Sequence, residues 1–217
     1  MGLSISVGML HDQARNDPEG LEYHLRAFER LGTAVREEGI DWQEPPFDGP
    51  PRTPAFSGGF PYRYLTRLRR VLALLRSGEP VVPAEEDGAR WERDCGLIQD
   101  EASMFSSHLI CHADNAGYYV PVDFADPLFL PSEAGVAGAG MVGSVQGLLR
   151  ELAFVAPALG ITGTGLGTAS APGAASNPAP PERPLPEGPF EPERFAWQQL
   201  HAACLAALAG GHAIVFH

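Results

Sequence analysis

Lysine is absent from this sequence of 217 residues; all 15 basic side chains are arginine. Without an ε-amine the chain cannot form a Schiff base with a carbonyl substrate or pyridoxal phosphate. It cannot build the lysine-bearing phosphate loop of nucleotide hydrolases, nor supply the phosphate-contacting lysine of a protein kinase. Cysteine is nearly as scarce. Cys95, Cys111 and Cys204 are odd in number and far apart, with no Cys-x-x-Cys pair. That pattern argues against a zinc knuckle or dithiol site and for reduced thiols. No run of about eighteen apolar residues occurs, so no membrane helix is expected. The opening Met1-Gly2-Leu3-Ser4-Ile5 has no basic stretch followed by an apolar one, and does not read as a secretory leader. Together these absences predict a cytoplasmic chain.

Acid is what the chain has in excess. Asp and Glu number 27, giving a formal charge of −12. Such a charge repels phosphate backbones at long range, so nucleic acid is not expected as a ligand. Its plain role is solubility; its functional role would be an acidic face for a basic protein partner. A hydrophobic fraction of 44% suits a globular core. The length fits a single α/β domain over 1–217.

Periodicity places the elements. Leu3, Ile5, Val7 and Met9 alternate with small or polar residues, which predicts a half-buried strand over 3–9. Asp17 reads as an N-cap with Pro18 at the first helical position; Leu21, Leu25, Phe28, Leu31 and Val35 follow at helical spacing until Gly39. The Pro- and Gly-rich stretch 41–61 reads as a loop. Leu65, Leu68, Leu72 and Leu75 mark a helix from Tyr62 to Arg76. Cys95, Ile98, Ala102 and Phe105 mark another from Trp91, and Val142, Val145, Leu149, Leu152 and Val155 a fourth. Residues 162–190, rich in Gly, Ala, Ser and Pro, cannot bury enough apolar surface to order themselves and read as a mobile loop or linker. A last helix runs from Pro192 through Leu208, and Ala213-Ile214-Val215-Phe216 suits a strand buried on both faces. The expected architecture is therefore α/β, a small mixed sheet of about four strands (3–9, 107–112, 118–124 and 212–216) covered by helices.

Residues 107–124 are the densest in chemistry. Asp114, Asn115 and Gly117 separate two β-prone runs, which reads as a hairpin. On a strand over 107–112, His108, Ile110 and His112 would share one face, with Asp114 just beyond. His108, His112 and Asp114 could then hold a divalent metal. Alternatively His112 acts as a base oriented by Asp114, with Tyr118 and Cys111 nearby. The plain reading is that the acid and amide shape the turn while the histidines pack. Leu109 stands where a zincin needs glutamate, which rejects that motif. Gly138-Ala139-Gly140-Met141-Val142-Gly143 matches the dinucleotide fingerprint by letter, but no convincing central strand precedes it and no ribose-binding acid follows. No Gly-x-Ser-x-Gly elbow occurs. Arg63, Arg67, Arg69, Arg70 and Arg76 crowd one helix and read as a polar face balanced by acids, or as an anion site.

The stretch from Cys111 to Phe124, with the opening Gly2-Leu3-Ser4-Ile5-Ser6-Val7-Gly8, resembles small conserved proteins of actinobacterial type. The resemblance implies a bacterial, cytosolic setting; it carries over no catalytic residue and no functional family. Two function classes follow. The first is a non-catalytic acidic binding protein, such as an immunity-type partner of a basic toxin. The second is a small enzyme with its His/Asp site on the hairpin, metal-dependent or biosynthetic. No cofactor is named by any motif.

Overall fold

In the computed structural model, which describes residues 2–47, 55–85, 87–162 and 188–217, the alternating Leu3, Ile5 and Val7 build a strand, β1 (Gly2–Val7). The expected linker over 162–190 lies, apart from its ends, outside the described residues. Five more strands are β2 (Phe56–Pro61), β3 (Gly117–Val120), β4 (Leu128–Phe129), β5 (Met141–Ser144) and β6 (Ile214–Phe216). They form one mixed sheet of order β2-β1-β6-β3-β5-β4, in which only β3 and β5 run parallel. The mixed α/β class is as expected, but the described sheet has six strands rather than about four.

Among the described residues six α-helices accompany it: α1 (Leu10–Asn16), α2 (Pro18–Glu37), α3 (Tyr62–Arg76), α4 (Ala89–Ser103), α5 (Val145–Val155) and α6 (Glu191–Gly210). The central strands β6, β3 and β5 are buried on both faces. Leu3, Ile5, Val7, Tyr119, Ile214 and Phe216 point into a core shared with α3, α5 and α6. Tyr118, Val120, Val142, Ala213 and Val215 point the other way, onto Phe28, Leu31 and Val35 of α2. This two-sided burial is why the 213–216 run is continuously apolar. Asp17 caps α2 as expected, its Oδ1 accepting the Gly20 amide at 3.0 Å. Leu25, counted in the same stripe, faces solvent.

Several expectations fail for physical reasons. Residues 107–112 form turns, not a strand, because their amides are claimed locally: Ile110 N–H bonds Ser107 Oγ at 3.0 Å and Cys111 N–H bonds the Ser107 carbonyl at 3.1 Å. β2 forms inside the stretch read as a loop; Gly58-Gly59 lets it lie close against β1, since a Cβ on Gly59 would come 2.3 Å from the Leu3 carbonyl. Val142 belongs to β5, and α5 begins only at Val145, where Ser144 Oγ accepts the Gly147 amide at 3.0 Å. α4 ends at Ser103, so Phe105 leaves the helical stripe in which its spacing placed it.

Candidate functional site

The segment 107–114 lies against α3 and α5 and is held there by two buried charged side chains. Arg69 of α3 donates Nε to the Leu109 carbonyl at 2.8 Å, one terminal nitrogen to the His112 carbonyl at 2.5 Å, and the other to Asp114. Glu151 of α5 accepts the Leu109 amide at 2.7 Å with one oxygen and Arg76 at 2.7 Å with the other. Burial raises the Glu151 carboxyl above its ordinary range, while the Leu109 amide and the other donors around it pull the other way. The arginine fork, with its five fixed donors, serves two carbonyls and a carboxylate at once, a pattern a lysine does not match.

The histidines are built into this scaffold. Ser144 N–H donates to His108 Nδ1 at 3.0 Å, so Nε2 carries the proton and donates to the Ala125 carbonyl at 3.2 Å. Tyr119 Oη–H donates to the His108 carbonyl at 2.9 Å. His112, 3% exposed, stacks on Tyr119 with ring centroids 4.2 Å apart and meets the edge of Phe216; its Nδ1 bonds the Ala113 carbonyl at 2.9 Å. Burial pulls its pKa down to about 4, so it is neutral at pH 7.

The sequence candidates therefore separate. Asp114 reaches Arg69 rather than an imidazole, and its side chain is 56% exposed. Cys111 Sγ–H points to the Ala102 carbonyl, its thiol pushed up by burial. Tyr118 lies on the opposite face of the sheet from His112, among the residues packed on α2. His108, His112 and Asp114 do not converge; no group of three or more metal-ligating side chains does among the described residues. A cavity of about 350 Å³ beside this loop is lined by His108, Glu151, Arg76, Arg150 and Phe154, and each of its charged or titratable groups is already engaged. A larger one of about 670 Å³ lies between α2 and residues 43–47. Neither is lined by His112, Asp114 or Tyr118. Arg70 of α3 likewise turns inward and pairs with Asp94 at 2.6 Å, both side chains 1% exposed.

The exposed surface is dominated by acid. On and around α2 stand Asp17, Glu19, Glu22, Glu29, Glu37, Glu38 and Asp41. Arg26, Arg30 and Arg36 are interleaved, and Arg26 pairs with Glu22 at 3.3 Å. Across the sheet, Glu79, Glu85, Asp87, Glu92 and Asp100 line the solvent side of α4 and its approach. Beside the acidic end of α4 lie two aromatic rings that sequence reasoning missed. Phe105 is 60% exposed with φ +54°, and Phe129 of β4 is 47% exposed; their centroids are 5.1 Å apart, edge to face. Helical spacing assigned Phe105 to the core, and only the end of α4 at Ser103 reveals otherwise.

Fold and surface together define an α/β protein whose outer surface is anionic. The comparison with protein families is specific: residues 1–216 match the family described as "Putative DNA-mimic protein", and the chain belongs to that family. No curated protein matches, and no solved structure matches. The family supplies what the actinobacterial resemblance lacks, a functional class. It also corrects the expected partner. Charge alone suggests a basic protein such as a toxin; a DNA mimic implies a DNA-binding protein. The absence of nucleic acid from the expected ligands is consistent with the family. No helix among the described residues is long and apolar enough to cross a membrane.

Proposed function

We propose that the protein binds a DNA-binding protein and occupies its DNA-binding surface, exposed carboxylates taking the place of phosphates. The family match over 1–216 carries the reading. The anionic surface supports it, because most protein–DNA hydrogen bonds go to phosphate and sugar, and those donors accept a carboxylate as readily. The role is binding rather than catalysis, and its setting is the cytoplasm, where DNA-binding proteins act. The inward arginines fit the same picture: with Arg69, Arg70 and Arg76 turned to internal acids and carbonyls, they subtract little from the outer field.

The test is competition. Proteins of the source cell are loaded on immobilised DNA and challenged at constant ionic strength with the purified chain. The expected result is release of a discrete DNA-binding protein that then forms a complex with the chain free of DNA. Release no greater than that caused by an unrelated protein of equal charge would overturn the reading.

A further inference from the structure

Two phenyl rings in solvent are costly unless something covers them, and this pair is held in place. A φ of +54° strains a bulky residue such as Phe105, and no burial of its ring offsets that strain. Phe129 sits on the edge strand β4 and presents its ring to Phe105 at an interplanar angle of 88°. Carboxylates flank the pair within a few residues on each side: exposed Asp100 before Phe105, and exposed Asp126 and Glu133 around Phe129. Asp123 is exposed too, paired with Arg150 at 2.8 Å.

We infer that this ridge is the docking face, and that its occupant is the nucleic-acid groove of a single-strand-binding protein. The rings replace unstacked bases and the flanking carboxylates replace phosphates. The inference rests on the DNA-mimic reading and narrows it. Duplex DNA hides the flat faces of its bases inside the stack and offers proteins only base edges between phosphate rows. Single-strand grooves combine basic side chains along the backbone path with aromatic platforms that accept any flat ring. Exposed aromatic rings with exposed carboxylates close by in the chain complement the second surface and not the first. A second copy of this chain is a poorer occupant, since like charges of −12 repel across a shared face.

The variant Phe105→Asn with Phe129→Thr tests it. Asn accepts a positive φ and Thr keeps strand propensity, so thermal unfolding should show an intact fold. Labelled oligothymidine bound to an OB-fold single-strand-binding protein, and a labelled duplex bound to a helix-turn-helix protein, serve as probes. The wild-type chain should displace oligothymidine, and the double variant should need about tenfold more protein or higher, as expected for lost ring stacking. Displacement of duplex alone, unaffected by the double variant, overturns this inference and leaves the DNA-mimic reading intact. Displacement of neither probe overturns the inference, and the release experiment on the source cell's own proteins then decides the broader reading separately. Self-association of the wild type that the double variant abolishes makes a second copy the occupant and also overturns it.

Discussion

At the scale of single residues, Arg69 and His112 show why a chemically dense loop need not be a site of chemistry. Arg69 holds two backbone carbonyls and one carboxylate that otherwise have no common partner. Replacing it by Met leaves two carbonyls unbonded, at about 1–3 kcal/mol each. Arg69→Met should therefore lower the free energy of unfolding in urea by about 3 kcal/mol. Asp114→Asn should cost less than about 1 kcal/mol, because that carboxylate is more than half exposed and screened. Equal losses would show that the ion pair, not the carbonyl clamp, holds the loop. His112 gives a pH signature. Its pKa falls from an unfolded 6.5 to about 4, so between those values the unfolded chain binds a proton that the folded chain refuses. Stability from this group is complete above about pH 6.5 and is lost as pH falls toward 4, by about 3 kcal/mol at most. Glu151 and Glu193, raised by burial, act with the opposite sign above their ordinary range. The diagnostic quantity is thus the difference between wild type and His112→Phe, which keeps the stack on Tyr119. The stability of wild type minus that of the variant should become steadily more negative, or less positive, as pH is lowered from 7 to 5 in thermal melts.

At the scale of elements, two helical glycines predict opposite signs. Gly96 of α4 has nothing within 4 Å of an added Cβ, whereas one on Gly147 of α5 would meet the His108 ring at 2.1 Å. Gly96→Ala should raise stability by about 1 kcal/mol, the usual helix-propensity gain. Gly147→Ala should lower it, because displacing His108 breaks its bond to the Ser144 amide at the junction of β5 and α5. Melting temperatures that both rise would mean His108 is not fixed as described. The same elements show what a sequence makes legible. β1, α2, α3, α6 and β6 are readable because each has one clear period or burial mode in its own residues. β2 and β5 are not, because their glycines look like loop and are explained only by a neighbour: the Leu3 carbonyl for Gly59, and the Tyr119 ring, 2.2 Å from an added Cβ, for Gly143. Residues 107–112 have the composition of a strand, but Ser107 and Glu151 supply partners that no local pattern shows. For the candidate surface, the acid was plain in the composition, while its division between α2 and α4 and the meeting of Phe105 with Phe129 depend on the fold.

At the scale of the whole molecule, substituting a folded protein for DNA changes how binding responds to salt. DNA carries a charge every ~1.7 Å and a condensed layer of counterions, whose release drives much of its binding. A protein that contacts six to ten phosphates loses roughly 10³–10⁵ in affinity between 50 and 200 mM salt. Here the net charge of −12 is spread over about 11,400 Å² of surface and interrupted by Arg26, Arg30, Arg36 and Arg93. So dilute a charge condenses few counterions, and fewer are released when a partner binds. Attraction between the surfaces is still screened, since the Debye length shortens to about 8 Å near physiological ionic strength. The complex with the partner should therefore weaken with salt, but along a shallower log–log slope than the partner's complex with DNA. As salt rises from 50 to 200 mM, the amount of this protein needed to displace DNA should fall. Competition titrations at several salt concentrations measure both slopes on one partner. A slope as steep as that of DNA would mean that the carboxylates are packed on the docking face at nearly phosphate density, and that the interleaved arginines lie outside it.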